Sequence, residues 1–525
     1  MIPKDPPALR TLGAMLARNA ERDGDHPFIL DERGELTRAG AYDLARGMGG
    51  AFAALGVEKG DPVVVMLDNR REFIASWFGL ALAGALEVPA NPDYVGDRLL
   101  HLFNHSRAAT AVVEADHLPR IDEVADRLPE LRRVIVVGDG RSERFETIAF
   151  EDLDVDPAAA PDRSIRFSDP VAVMYTSGST GPAKGALLPH GQHYINGWQP
   201  ASVFDLCEDD RIYLCLPLHH NMAQGYGIWP AIVFGASVRL ARRFDRATFW
   251  DDVRDSGSTI LTFVGAMLVL LAKQTGGDDE NPLRLGFGVP IPAHLHEDFE
   301  RRFGLELVHG YGSTEATIVA WNHGPDRKVG AAGRILDDFD VRLVDEDDMP
   351  VPRGELGEIC IRPAEPYSTC LGYHRDGERT ARAFRNLWLH TGDRGRMDED
   401  GLLWFADRID DVIRRAGEFV SSSEVEHAVL SHPEVTLAAA YGVKSDFIEQ
   451  EVMVSVVRQP GSALTAAELW AWCRERLPEF AVPRYVAFLR ELPMTPTGKI
   501  EKYRLRERAV TPDTEDFRAQ REVSQ

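Results

Sequence analysis

The chain has 525 residues, 44% of them hydrophobic and 27% charged, with a formal net charge of −24. That length exceeds one ordinary core and favours two or more domains, while the acidic balance excludes a basic field able to neutralise a nucleic-acid backbone. A phosphate-bearing ligand would need its cations gathered locally against this background.

In chain order, residues 10–22 and 41–55 carry helical periodicity, and "PVVVMLD" from Pro62 reads as a buried strand. Phe73 to Leu86 reads as an apolar helix, shorter than the roughly 20 residues a bilayer span needs, so no membrane span is expected. The rhythm continues through "AVVEA", "RVIVVGD", "AVMYTS" and "RIYLCLPL", each followed by a polar or helical stretch. This alternation predicts an α/β N-terminal domain of parallel sheets with flanking helices. After Gly330 the runs shorten to "DVRLVDED", "GEICIR" and "GLLWFADR", the pattern of a small barrel-like subdomain. Beyond Asp410, helices and strands alternate again as a small α+β domain, so the expected division is 1–409 and 410–525. The cysteines Cys207, Cys215, Cys360, Cys370 and Cys473 show no C-x-x-C spacing, and the first residues lack a signal pattern. A reducing cytoplasm and no zinc site are the expectations.

"YTSGSTGPAKG", from Tyr175, gathers glycines, hydroxyls and Lys184 directly after an apolar run. Glycines let backbone N–H groups approach an anion, so phosphate is the first candidate. The spacing is not the G-x-x-x-x-G-K-[ST] loop, and a plain Gly-Ser turn between two strands is the simpler alternative. "HGYGSTEA" at 309–316 is a second glycine-rich turn, ending in Glu315, a carboxylate suited to Mg²⁺. "HTGDRGR" at 390–396 places Asp393 after a turn, where it serves either a ribose diol or its own turn. "PTGKIEKYRLR" presents Lys499 on a loop bounded by Pro and Gly. His219 and His220 are adjacent but lack a third ligand at metal-site spacing.

Taken together and in order, these segments resemble the adenylate-forming superfamily of acyl-CoA synthetases, luciferases and peptide-synthetase adenylation domains, over nearly the whole chain. The stretch "RNLWLHTGDRGRMDEDGLLWFADRIDDVIRRAGEFVSSSEVE" is most similar to carnitine/crotonobetaine-type acyl-CoA ligases. Ser179, Ala183 and Arg394 depart from the residues usual in the family.

The resemblance implies a two-step ligase that converts a small carboxylic acid and ATP to acyl-AMP and pyrophosphate, then transfers the acyl group to CoA. It implies that Thr176, Ser177, Gly178, Ser179, Thr180, Gly181 and Lys184 hold the leaving phosphates, that Thr176 and Glu315 place Mg²⁺, and that Lys499 bridges the substrate carboxylate and α-phosphate. Gly288, Val289 and Pro290 with His309, Gly310, Tyr311 and Gly312 would line the adenine, Thr314 would meet the α-phosphate, and Asp393 and Arg408 would fix the ribose. The acyl pocket would take His220, Asn221, Gln224, Gly225, Tyr226, Val264, Gly265 and Phe287, with His220 gating the thiol channel. Asp410 would be the hinge of a mobile C-terminal domain, and Arg414, Arg415, Gly417 and Glu418 would guide CoA; for the two arginines, solvated surface charge is the alternative. An amine or carrier-protein thiol is the alternative acceptor, and a nucleotide sensor the non-enzymatic one. The oligomeric state, a homodimer included, is left open.

Overall fold

The structure is a computed structural model that describes residues 3–176, 183–274, 281–293, 295–408, 411, 413–415, 418–445, 450–494 and 500–517. Two compact units divide the chain: Met1–Gly178, Pro182–Asp340 and Ile361–Leu389 form the first, and Ser179–Gly181, Val341–Cys360 and His390–Gln525 the second.

In the first unit the helical periodicities become Leu12–Asp23 and Arg38–Ala54, capped by Thr11 and Thr37, whose hydroxyls accept from Ala14 N–H and Gly40 N–H. The apolar run expected as one helix to Leu86 is a helix, Arg71–Ala83, followed by a strand, Leu86–Pro89. Gly84 divides them at φ 72°, a left-handed C-terminal cap that a β-carbon would strain. Trp77, Phe73 and Phe78 on that helix are fully buried.

One sheet of this unit runs in the order Glu146–Ala149, Arg133–Val137, Thr110–Glu114, Pro62–Met66, Leu86–Pro89, Pro170–Thr176, Lys184–Pro189. Its neighbours are parallel up to Pro170–Thr176, and the last pair is antiparallel. In the second sheet, Glu306–Ser313, Leu285–Val289, Ile260–Val264, Arg211–Leu214, Ser237–Leu240 and Pro27–Asp31 pair in parallel, and Thr317–Asn322 turns back antiparallel on Glu306–Ser313. The near-continuous apolar sequence of these strands reflects burial on both faces. The expected α/β class is what the chain adopts, with mixed sheets.

The turn-punctuated runs after Gly330 are the strands Phe339–Val344, Gly357–Pro363, Leu389–Met397 and Leu402–Arg408, hydrogen-bonded in that order. In the second unit a separate sheet, Val435–Lys444, Gln450–Arg458, Tyr485–Phe488 and Glu515–Asp516, carries the helices Ser422–Leu430 and Ala466–Arg474. Val425, Val429, Val454, Val456, Leu469 and Cys473 form its core. Thr465 and Glu468 close a reciprocal capping box at the start of the second helix. Among the described residues, no helix is long and apolar enough to cross a membrane.

Candidate active site

In the first unit the antiparallel strands Pro170–Thr176 and Lys184–Pro189 place Thr176 opposite Lys184. Ser177, Gly178, Ser179, Thr180 and Gly181, the rest of the expected phosphate loop, lie outside the described residues. Behind its feet, His101 Nε2 lies 2.7 Å from the Ala183 carbonyl, and His105 Nδ1 2.8 Å from the Tyr175 hydroxyl. Thr176 Oγ1 is buried with no hydrogen-bond partner among the described residues.

Residues 371–374 add themselves to this hairpin: Leu187 N–H donates to Gly372 O at 2.9 Å, and His374 N–H to Gly185 O at 2.8 Å. The pairing brings the Tyr373 hydroxyl to Glu315 Oε1, to which it donates at 2.9 Å. Lys184 Nζ lies 3.3 Å from that hydroxyl and 4.0 Å from Glu315 Oε1, so cation, phenol and carboxylate share one corner. Burial, and then the Glu315 charge, push the Tyr373 phenol well above its usual range, which keeps it a donor. The Glu315 backbone is pinned separately: its carbonyl accepts from Cys370 N–H at 2.8 Å, while Gln192 Nε2 donates to Thr314 O at 2.8 Å.

The strands Leu285–Val289 and Glu306–Ser313 are parallel neighbours and bring Gly288, Val289 and Pro290 near His309, Gly310, Tyr311 and Gly312. At Gly288 a β-carbon would stand 2.1 Å from Phe263 O, and at Gly312 2.0 Å from Thr317 O, so both positions require glycine. Burial lowers the His309 imidazole to about 4, and the neutral ring's Nδ1 accepts from Ile291 N–H at 3.4 Å.

Of the expected acyl-pocket residues, several are engaged within the protein. Gln224 is fully buried and donates to both oxygens of Glu87, at 2.9 and 3.1 Å, and to Leu218 O. Complete burial raises the Glu87 carboxyl well above its ordinary value. Tyr226 meets Asn196 Oδ1 at 3.2 Å and Thr317 Oγ1 at 2.8 Å, and Asn196 Nδ2 donates to Asn221 at 3.4 Å. Phe287 is fully buried and stacks on Phe204. A β-carbon on Gly265 would meet Pro290 O at 2.4 Å, and one on Gly225 the Asn196 side chain at 2.9 Å. Val264 is half-buried, and His220 precedes the helical turn begun by Asn221.

In the second unit, Asp393 and Arg408 are directly opposed across the Leu389–Met397 and Leu402–Arg408 strands, with Arg408 Nε 3.2 Å from Asp393 Oδ1. Asp393 N–H donates to Thr391 Oγ1 at 3.1 Å, and the Thr391 hydroxyl donates to Ile359 O at 2.8 Å. Arg415 sits on a short ribbon, Ile413–Arg415 against Glu418–Val420, and donates from Nε to Glu451 Oε2 at 2.9 Å. The side chains of Arg414 and Glu418, and all of Asp410, Gly417 and Lys499, lie outside the described residues. The flanks of the Lys499 segment pair: Met494 and Ile500 form an antiparallel bridge, and Glu501 N–H donates to Pro493 O at 2.8 Å.

Sequence reasoning missed Tyr373, Gln192, Asn196 and Glu87. No local motif marks them, because each acts across a distant strand or helix.

Comparison with known proteins places this geometry. Residues 16–374 match the model of the AMP-binding enzyme family, and residues 424–499 that of the AMP-binding enzyme C-terminal domain. The crotonobetaine/carnitine–CoA ligase of Salmonella agona (strain SL483) is 31% identical over 470 residues, 87% of this chain and 90% of that protein. Among solved structures, the anthranilate CoA ligase AuaEII in complex with anthranoyl-AMP is similar with a TM-score of 0.86 and 26% identity, over 95% of this chain and 97% of that one. ATP-bound MatB from Rhodopseudomonas palustris has a TM-score of 0.85 and 25% identity, over 94% of this chain and 98% of that one. The chain belongs to the AMP-binding enzyme family, the adenylate-forming ligases.

Proposed function

We propose that the protein is an ATP-dependent carboxylic acid–CoA ligase. The observation that carries this reading is the corner formed by Lys184, Tyr373 and Glu315 at the feet of the phosphate loop. A cation beside the leaving phosphates and an oriented carboxylate are what an in-line displacement at the α-phosphorus needs. In the first step a carboxylate oxygen forms a bond to the α-phosphorus, the bond to the β-phosphate oxygen breaks, and pyrophosphate leaves. In the second, the CoA sulfur, its proton lost to solvent, bonds to the acyl carbon, and the oxygen of AMP leaves.

Lys184 would take the β- and γ-phosphate charge, and Lys499 the charge developing between the carboxylate and the α-phosphate. Asp393 would accept from the ribose hydroxyls, held in place by Arg408. The buried hydroxyl of Thr176, unpartnered among the described residues, and the carboxylate of Glu315 are hard oxygen donors of the kind Mg²⁺ takes. Bound there, the ion would supply neutralisation of the triphosphate, with Tyr373 keeping Glu315 oriented. The relatives named for crotonobetaine and carnitine, and the neighbour named for anthranilate, support a carboxylic acid and CoA as the substrates.

The test is release of pyrophosphate and AMP over a panel of carboxylic acids, each with and without CoA. Pyrophosphate with AMP, and a thioester when CoA is added, is the expected result; ADP and phosphate would exclude it.

A further inference from the structure

Two clusters of metal-ligating side chains lie within the described residues. The first, Asp68, Glu114 and His117, is already neutralised, because Arg70 and Arg242 donate to Glu114 at 2.7 and 2.5 Å. The second brings together a thiol, an imidazole and a carboxylate. We propose that Glu358, Cys360 and His390 form a site for a divalent cation of the zinc class.

Glu358 and Cys360 are two residues apart on the Gly357–Pro363 strand, so both side chains leave the same face, and His390 comes from the Leu389–Met397 strand. His390 Nδ1 lies 3.3 Å from Cys360 Sγ, 2.9 Å from Glu358 Oε2 and 3.9 Å from Asp348 Oδ1. The ligand atoms of Glu358, Cys360 and His390 all lie within 4.8 Å of one another. Tetrahedral zinc, bonded to sulfur at about 2.3 Å and to nitrogen or oxygen at about 2.0–2.2 Å, separates its ligand atoms by about 3.3–3.6 Å. The His390 Nδ1 separations from Cys360 Sγ and Glu358 Oε2 are therefore within about 0.5 Å of those around a bound ion.

The chemistry is equally selective. A thiolate, an imidazole and carboxylates suit zinc, whereas magnesium and calcium take oxygen alone. Cys360 is 2% exposed and His390 9%, so these two ligands are withdrawn from competing water. Binding would replace the Cys360 thiol proton, released to solvent, with a metal–sulfur bond, and the dication would offset the Cys360 thiolate and the Glu358 carboxylate. The second oxygen of Glu358 is already fixed by Gly392 N–H at 3.0 Å, the outer hydrogen bond that orients a metal-binding carboxylate. Cysteine spacing alone could not reveal this set, since its ligands come from separate chain segments.

The probe is Co²⁺ added to the full chain carrying Cys207→Ser, which removes the exposed thiol. We expect one equivalent bound per chain, with a thiolate-to-cobalt charge-transfer band that Zn²⁺ abolishes and equimolar Mg²⁺ does not. Cys360→Ser should lose the band, and His390→Gln should weaken binding at least tenfold. A melting temperature raised by Zn²⁺ in the Cys207→Ser protein gives a second readout should either further variant fail to fold. Absence of bound cobalt, a band that survives Cys360→Ser, or a melting temperature unmoved by Zn²⁺ would overturn the proposal.

Discussion

The hydroxyl of Tyr373 donates to Glu315 Oε1 at 2.9 Å, across 58 positions of sequence. Tyr373→Phe removes this donor without changing the ring. A hydrogen bond to a charged group contributes about 1.5–3 kcal/mol, so adenylation at limiting Mg²⁺ should fall by about tenfold or more, with partial recovery at saturating Mg²⁺. Pyrophosphate release across a Mg²⁺ titration measures it, and an unchanged Mg²⁺ dependence would remove Tyr373 from the site.

The two half-reactions should separate genetically. Lys499→Ala should slow acyl-AMP formation by about 10²–10³, the usual loss when a charge-stabilising group is removed, yet still convert supplied acyl-AMP and CoA to thioester. Gly417→Leu should do the reverse. Single-turnover assays of each step decide the matter: parallel loss of both steps in both variants would contradict the separate roles given to Lys499 and Gly417.

Four histidines of the first unit set a direction for stability against pH. Burial lowers His190 and His309 to about 4 and His193 and His219 to about 3. Their unfolded value is about 6.5. As pH falls below that value, the unfolded chain takes up protons that the folded chain refuses, so stability is full above about 6.5 and declines toward 4. Each histidine contributes up to about 1.4 kcal/mol per pH unit in that window. Melting curves between pH 7.5 and about 4.5 should show the decline, and His193→Gln should flatten it; an identical slope in that variant would exclude His193 as a contributor.

Glu87 should be held in its neutral form, because it is fully buried and its recorded partner is the uncharged Gln224 amide. Glu87→Gln should therefore leave stability within about 0.5–1 kcal/mol, whereas Glu87→Leu strands the amide and costs about 1–3 kcal/mol. Chemical denaturation of the pair is the measurement. Equal destabilisation by both would indicate that the charge, rather than the hydrogen bond, matters.

The strands that lead into the glycine-rich stretches were legible because the relevant pattern is local, an apolar run followed at once by glycines and hydroxyls. Asp393 could be singled out by the turn before it, whereas Arg408 rested on the family resemblance. Tyr373 was not, since only the pairing of residues 371–374 with 185–187 takes it to Glu315. The helix expected to run on to Leu86 failed at a point where every neighbour is apolar, so periodicity alone could not separate a buried helix from the strand after it. Around Gln224 the chain forms a π-helical turn, Gln224–Ile228, which shifts the side-chain phase from the 3.6-residue repeat. Helical spacing therefore could not reveal that Gln224 points to Glu87 and Tyr226 to Asn196.

The pairing of Thr176 with Lys184 also lets the sheet fix both ends of the segment between them. Closing a flexible ring costs only about 0.6 kcal/mol more for each doubling of its length. Length in this segment is therefore nearly free for the fold, while the place of Lys184 stays set by its strand. The hairpin thus uncouples the position of the lysine from the length of the chain that leads to it.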